Sequence, residues 1–290
     1  AYLVAGEEMS VRELLYCLML SSGNDAASAL AIHVSGSIED FAVLMNEKAE
    51  KLGLENTSYK NPHGLDADGH YSSARDLATL TAYGLENNDF LDIVSTKTAT
   101  VGSRTLTNHN KLLWSVEGAI GVKTGYTMAA GRILVSAVDR DGMRFICVTI
   151  DDPNDWEDHT AIYEKLYGEY ETRQICKKDE VYSEIAVIGG TKETTNIVFE
   201  DSLTIMTQES DEVETVFEVP EFSYAKISKG DRAGTLKVYI NGNLEHEVGL
   251  IYAEDVDVDE SQLLSLPEKI LRIIRLSFKY SGEQYSQENQ

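Results

Sequence analysis

Two short motifs hold the residue types of hydrolytic acyl-transfer chemistry. Ser22-Gly23-Asn24 offers a hydroxyl and an amide, while Lys123-Thr124-Gly125 offers an ammonium group, a second hydroxyl and a glycine that leaves room for a substrate along a strand. Taken alone, each triplet is a weak signal, because S-x-N is usually a helix cap and K-T-G usually a strand end or turn. Their meaning depends on the elements that position them.

Local signals predict helices on both sides of Ser22. Ser10 and Glu13 have the spacing of a capping box, and the apolar residues after them predict a helix that ends near Ser22. An Ala-rich helix is expected from about Asp25, and a third helix, capped by Ser37, from Ile38 to Leu52. The Ser-Gly-Asn segment is therefore expected where two helices meet.

A loop rich in Gly, Asp and Asn follows, from Asn61 to Tyr71. Its Asp66 and Asp68 have the look of a metal loop, but carboxylates in a Gly-rich turn more often bond to backbone. Ser73 is expected to cap the next helix. That helix is predicted to contact the core through Leu77, Leu80 and Tyr83.

Around the second motif the hydrophobic period becomes that of strands. Strands are predicted at residues 119–125, 132–138 and 143–150, the last two joined as a hairpin through Asp139–Gly142. An amphipathic helix is predicted at Ile162–Tyr170. Helices combined with an antiparallel sheet indicate an α/β (α+β) domain with the sheet at its centre, assigned to residues 1–171.

From residue 172 to 262 we predict a separate, small all-β domain without a catalytic cluster. Its turns are expected at Gly189-Gly190 and Asn241-Gly242. The predicted strands are Glu184–Ile188, Ile197–Phe199, Leu203–Met206, Val213–Val219 and Leu236–Ile240.

The last segment, residues 263–290, is predicted to be an amphipathic helix with a polar tail. Between Leu266 and Lys279 the apolar and basic residues fall on opposite helix faces, a pattern that suits a membrane surface with anionic lipids. The alternative is a helix packed on its own β domain. The basic face contains Lys269, Arg272, Arg275 and Lys279.

Composition excludes several classes of partner. The 290 residues are 42% hydrophobic and have a net charge of -24, which makes nucleic acid an unlikely partner because phosphate binding needs clustered Lys and Arg. No apolar run reaches the ~18–20 residues of a membrane span, and residues 1–30 lack the features of a signal peptide. Either the protein is cytosolic or its secretory start has been removed. The three cysteines and six histidines lack the spacing of a disulfide framework or metal site, so we expect no metal and no cofactor.

The stretch from Ser22 to Tyr167 resembles the serine D-alanyl-D-alanine carboxypeptidases among the low-molecular-mass penicillin-binding proteins. The resemblance implies a β-lactamase/transpeptidase-like fold and a substrate that is a peptidoglycan stem peptide ending in D-Ala-D-Ala. It also implies β-lactams as covalent inhibitors, action outside the bacterial cytoplasm, and a terminal helix that anchors to the membrane. The segments that carry it are Ser21–Ala27, Asn61–Asp66, Tyr71–Asp76, Asn108–Leu113, Gly121–Thr127 and Ala130-Gly131.

The resemblance also implies roles for the motif residues. Ser22 is expected to relay protons to the leaving amine, and Asn24 to hold the peptide amide of the substrate. Lys123 is expected to set the electrostatics of the site and, with Thr124, to hold the terminal carboxylate. The backbone N–H of Tyr126 is expected to supply half of an oxyanion hole.

One motif of that family is missing. The family's nucleophile and base belong to an S-x-x-K motif some tens of residues before S-x-N, yet the only S-x-x-K here is Ser223-Tyr224-Ala225-Lys226, in the predicted β domain. We interpret that match as chance and expect a chain truncated before the nucleophile, inactive by itself. His63 lies in a loop that has no catalytic role in the family, and is interpreted as structural.

Two other functions remain open on the sequence. A β-lactamase shares the three motifs, but the β domain and the anchor-like helix argue against it. A non-catalytic protein that binds or organises the cell wall is the second alternative, because the nucleophile motif is absent.

Overall fold

The computed structural model describes residues 1–259 together with 267, 268, 270, 271, 273 and 274. The chain divides into two units, the first ending at Thr172 and the second beginning at Arg173. The helix predicted for Leu266–Lys279 lies largely outside the described residues, and the six described positions within it are helical.

The helices of the first unit begin where serine and asparagine side chains cap them. Ser10 forms a reciprocal capping box with Glu13, and Ser37 and Ser73 each accept a bond from a backbone N–H three residues on, as predicted. Asn87 caps a further helix that the sequence did not predict. The helices are α1 Val11–Ser21, α2 Asn24–Ser35, α3 Ile38–Lys51, α4 Ala74–Leu85, α5 Asn88–Ser95, α6 Leu112–Ser115 and α7 Asp155–Glu169.

The strands of the first unit form a short hairpin and a central antiparallel sheet. In the sheet, three strands lie in the order β3-β4-β5, which leaves one side of β3 without a strand partner among the described residues. The three predicted strands and their connecting hairpin are confirmed, whereas the short hairpin was not predicted. The strands are β1 Thr98–Val101, β2 Arg104–Thr107, β3 Ala119–Thr127, β4 Gly131–Arg140 and β5 Met143–Ile150.

Helices cover both faces of this sheet. On β4, Leu134 and Val138 pack in one apolar cluster with α6 and α7, while Val135 and Ala137 pack in another with α4 and α5. Full burial of each such aliphatic side chain stabilises the fold by about 1.5–3 kcal/mol, which fixes the sheet between its helices. The predicted core position of Tyr83 is wrong: its ring is 51% exposed and faces the ammonium of Lys48.

A buried polar network joins α7 to the sheet. The hydroxyl of Ser136 on β4 lies 2.7 Å from both His159 Nδ1 and the Tyr163 hydroxyl, and His159 Nε2 lies 3.0 Å from Thr149 Oγ1 on β5. Burial lowers the pKa of His159 to about 4, so the ring is neutral in the folded state. The helix begins at Asp155, seven residues before the predicted start. The earlier start was missed because the acidic first turn shows no apolar periodicity.

The second unit is built from strands, in agreement with the predicted all-β texture. Six of them form one sheet in the order β10-β12-β13-β8-β7-β11, and β6 pairs with β9. Three strands, β6, β11 and β13, were not predicted. The bounds are β6 Tyr170–Cys176, β7 Val181–Ile188, β8 Thr194–Phe199, β9 Leu203–Gln208, β10 Val213–Glu218, β11 Phe222–Tyr224, β12 Arg232–Ile240 and β13 Asn243–Tyr252.

All three cysteines are buried and free of disulfide bonds, and each lies in a different apolar cluster. Burial raises the pKa of Cys147 to about 11 and also raises the pKa of Cys17 and Cys176. Within the described part of the chain, no three His, Cys, Asp or Glu side chains are grouped to hold a metal. No described helix is by itself long and apolar enough to cross a membrane, although α2 and α3, bent by 82°, reach that length and composition together.

Candidate active site

The turn between α1 and α2 presents Ser22. Ser22 ends α1 in the left-handed conformation, with φ 54° and ψ 43°, and is exposed. The next residue is Gly23, whose N–H donates to the carbonyl of Cys17 at 3.1 Å; a Cβ there would approach that same oxygen to 3.1 Å. This tight turn favours glycine. Asn24, also exposed, begins α2 directly after it.

The fold brings Lys123 of β3 to Ser22, a residue 101 positions away. Lys123 Nζ donates to Ser22 Oγ at 3.0 Å and to the carbonyl of Thr124 at 2.6 Å. Burial of the ammonium group lowers the pKa of Lys123 to about 8. The pair is therefore a hydroxyl in contact with an amine that can gain or lose a proton near neutral pH.

A cavity of about 390 Å³ lies beside this pair. Neither Lys123 nor Asn24 lines it, although both were predicted site residues. At Gly125 an added Cβ would meet no protein atom closer than 3.8 Å, so packing within the protein does not demand glycine there. The lining residues are Ser22, His109, Thr124, Gly125, Tyr126, Arg132, Ile133, Asp155 and Trp156.

His109 reaches the cavity from a loop held by buried amides. The side chain of Asn108 donates to two backbone carbonyls at 3.1 Å and accepts the N–H of Asn110 at 3.0 Å. The His109 N–H donates to the carbonyl of Leu20 near the end of α1. Burial and the nearby Lys123 charge lower the pKa of His109. The sequence marked this segment by its resemblance but gave His109 no role.

One wall of the cavity contains an arginine, Arg132, that was not predicted as a site residue. Arg132 Nη2 lies 2.6 and 2.8 Å from the two carboxylate oxygens of Asp155, and Nε lies 3.2 Å from Oδ2. The Arg132 Cζ atom is 5.8 Å from the centre of the Trp156 ring. Arg132 is the first residue of a predicted strand and pairs with Tyr126 in the β3–β4 register. Pairing that strand with the one that contains Lys123 was the signal that would have found it.

Two other sequence interpretations gain support from geometry. His63 Nδ1 accepts the backbone N–H of Leu65 at 3.3 Å, within its own loop. Ser223 and Lys226 have separate partners: the serine hydroxyl contacts the Tyr252 hydroxyl, and the lysine lies 3.8 Å from the carboxylate of Asp257. The Ser223–Lys226 spacing therefore does not form a serine–lysine pair.

Comparison with known families gives two matches. Residues 1–154 match the D-alanyl-D-alanine carboxypeptidase family, and residues 170–258 match the C-terminal domain of penicillin-binding protein 5. The two matches follow one another along the chain, in the order of its two structural units.

Individual relatives agree with these families. The chain is 32% identical to D-alanyl-D-alanine carboxypeptidase DacF of Bacillus subtilis, over 88% of this chain and 68% of that protein. It is 33% identical to DacC of Escherichia coli, over 88% and 66% respectively, so it spans about two thirds of the length of these relatives. Penicillin-binding protein 5 of Haemophilus influenzae has a similar structure, with TM-score 0.66, 29% identity, and coverage of 88% of this chain and 77% of that one. These findings confirm the predicted fold class and resemblance.

Proposed function

The chain belongs to the D-alanyl-D-alanine carboxypeptidase family of serine peptidases, and from this membership we propose that it removes the terminal D-Ala of peptidoglycan stem peptides. The reaction proceeds through an acyl-enzyme, and β-lactams acylate the same site. The observation that carries the proposal is the 3.0 Å contact between Ser22 and Lys123 beside the cavity lined by Thr124 and Gly125.

The Ser22–Lys123 pair supplies a route for the proton of the reaction. When a serine oxygen attacks the penultimate D-Ala carbonyl, the bond to the terminal D-Ala breaks and its amine must gain a proton. The Ser22 hydroxyl gives its proton to that amine and takes one from the Lys123 ammonium. A donor with a pKa of about 8 is suited to this exchange, because proton transfer is most efficient when the donor pKa lies near the working pH.

Strand β3 supplies the surface along which the peptide lies. Its outer side has no strand partner among the described residues, so its backbone groups are available to an extended peptide. The open space at Gly125 admits that peptide, the Tyr126 N–H supports the developing oxyanion, and Asn24 holds the substrate amide. Thr124, which lines the cavity, contributes its hydroxyl to the terminal carboxylate.

We propose that Ser22 is the relay and not the nucleophile. The 290 residues contain no S-x-x-K before Ser22, and the Ser22 oxygen already accepts a hydrogen bond from the Lys123 ammonium. These residues alone are therefore expected to bind substrate without forming an acyl-enzyme.

The place of action follows from the substrate. Peptidoglycan lies outside the bacterial cytoplasm, so we infer extracytoplasmic action. The finer proposal is attachment to the membrane surface through residues 266–279, supported by the spacing of basic and apolar residues in their sequence.

The function is tested with the full-length protein, a peptide ending in D-Ala-D-Ala and a fluorescent penicillin. We expect D-Ala release and one covalent label, which mass spectrometry maps to a serine other than Ser22. A protein of these 290 residues alone is expected to do neither.

Each other outcome points elsewhere. A label on Ser22 would show that Ser22 is the nucleophile after all. Penicillin turnover without D-Ala release would favour a β-lactamase. A full-length protein that neither labels nor releases D-Ala would favour a non-catalytic wall-binding role.

A further inference from the structure

The proposed reaction needs a cation for the substrate's terminal carboxylate, and Lys123 is poorly placed for that task. Its ammonium group donates to Ser22 Oγ and to the Thr124 carbonyl, and the residue is not part of the cavity wall. Two of its three N–H donors are thus engaged, and one of them makes the contact on which the proton route depends. The cation that faces the cavity is Arg132.

The guanidinium of Arg132 is held with one edge open. Its Nε and Nη2 atoms are engaged by Asp155, whereas no described residue accepts a hydrogen bond from Nη1. The Asp155 side chain is 3% exposed and that of Arg132 is 43% exposed, so the carboxylate is buried behind the guanidinium. This arrangement fixes the planar fork while leaving N–H donors free for a second carboxylate.

The surroundings keep that group charged and aimed at the cavity. The hydrogen bonds that Arg132 donates to Asp155 raise the pKa of Arg132, and the charges of Asp155, Asp152 and Glu157 raise it further. Trp156 forms the neighbouring wall, with its ring 5.8 Å from both Arg132 Cζ and Lys111 Nζ. The guanidinium therefore stays protonated at any pH at which a peptide carboxylate is ionised.

We propose that Arg132 binds the terminal carboxylate of the D-Ala-D-Ala peptide, and that Asp155 is the positioning residue that orients its guanidinium. Thr124 contributes a hydroxyl from the facing strand, and Lys123 serves the proton route alone. This inference rests on the proposed function and assigns its substrate-recognition residue.

The test compares two substrates in the full-length protein: a peptide ending in D-Ala-D-Ala and the same peptide with a C-terminal amide. The wild-type protein is expected to prefer the free acid in KM. Arg132→Gln should raise KM for the acid about tenfold to hundredfold, with little change for the amide, because a charge-assisted bond to the carboxylate is lost. Arg132→Lys keeps the charge but loses the forked pair of donors, so its KM for the acid should lie between those of the wild-type protein and Arg132→Gln.

Two further variants separate recognition from folding. Asp155→Asn should raise KM for the acid more than it lowers kcat, since the guanidinium is present but no longer oriented. Arg140→Gln is the matched control, because Arg140 lies at the other end of β4 and donates to the carbonyl of Glu117. It should leave the acid-to-amide ratio unchanged. Because that ratio is measured within each protein, the folded fraction cancels.

The proposal is overturned if Arg132→Gln keeps the wild-type preference for the acid, or if the wild-type protein has no such preference. If the wild-type protein releases no D-Ala from either peptide, the proposed function fails and this assignment falls with it. Neither of the first two results contradicts the proposed function; the first assigns the carboxylate to another cation, and the second shows that no cation recognises it.

Discussion

The two units of the chain differ in what they bury. The described core of the second unit is almost wholly apolar, with Thr195 and Thr207 as its buried polar residues, and the carboxylates of three of its lysine ion pairs are exposed. The first unit buries polar and charged side chains repeatedly. They are Asn61, Asp76, Thr81, Asn108, Asn110, Ser136, Asp155 and His159.

The buried polar groups of the first unit hold other side chains and elements in place. A buried polar group costs free energy unless it is hydrogen-bonded, so it persists where it holds something in place. Asp155 holds Arg132, Asn108 holds the His109 loop, and Ser136 with His159 holds α7 against the sheet. All three serve the wall of one cavity. The second unit shows no comparable network among its described residues, in keeping with a structural role.

The largest change in activity is expected when a lysine of the first unit is replaced, and a lysine of the second unit serves as its control. Lys123→Ala should lower kcat/KM for D-Ala release in the full-length protein about 10²- to 10³-fold, because it removes a preorganised charge and proton donor. Penicillin acylation should fall in parallel. Lys237→Ala removes an ion pair of 2.6 Å with Glu218 in the second unit and should change both rates less than about twofold, since surface pairs contribute little.

Near-normal turnover by Lys123→Ala would mean that the motif is misassigned. The residual activity carries a second readout: the preference for acid over amide peptide should survive this substitution, because it belongs to Arg132. Loss of that preference would return the carboxylate to Lys123.

The next effect is a pH dependence confined to the first unit. His159 has a pKa of about 4 when folded and about 6.5 in an unfolded chain, so the unfolded state takes up the proton first as pH falls. The stabilisation is complete above pH ~6.5 and is lost progressively toward pH 4, by up to about 3 kcal/mol. Urea unfolding followed by tryptophan fluorescence reports on this unit alone, since Trp114 and Trp156 are the only tryptophans.

The pH dependence is assigned by substitution. His159→Gln should flatten the fall in unfolding free energy between pH 7 and pH 5, whereas His246→Gln, an exposed position in the second unit, should leave the slope as it is. Parallel profiles for wild type and His159→Gln would assign the dependence to other groups.

The smallest expected effect is membrane binding by the residues that follow the described β strands. Residues 269, 272, 275 and 279 are basic in an otherwise acidic chain, and each such charge near an anionic membrane contributes about 1 kcal/mol. The chain should sediment with anionic liposomes and be released by salt, while a version ending near Leu263 stays in the supernatant. Equal sedimentation of the two would remove the membrane proposal.

Elements with local signals were predictable from the sequence. The serine caps at positions 10, 37 and 73 and the Asp139–Gly142 turn located three helices and two strands because their determinants lie within a few residues. Strand β13 was missed because its first five residues are all exposed and show no alternation. Its pairing with β12 specifies it instead. Tyr83 was misplaced because Thr81 and Leu85 occupy the inner face of α4.

The site was predictable in part for the same reason. Motifs identified Ser22 and Lys123, but nothing local states that residues 101 positions apart lie in contact. Arg132 and Asp155 were missed because each resembles an ordinary surface charge in sequence. Their meaning arises only when β4 and α7 meet at the cavity.

The reactivity of the three buried cysteines reports local unfolding in three different parts of the molecule. Cys17 belongs to the cluster beneath α1, Cys147 to the cluster between the sheet and α7, and Cys176 to the core of the second unit. A buried, protonated thiol does not react with alkylating reagents, so modification of each cysteine follows exposure of its own cluster. Brief alkylation followed by peptide mapping therefore distinguishes loosening around the Ser22 turn, detachment of α7 and unfolding of the β unit as separate events.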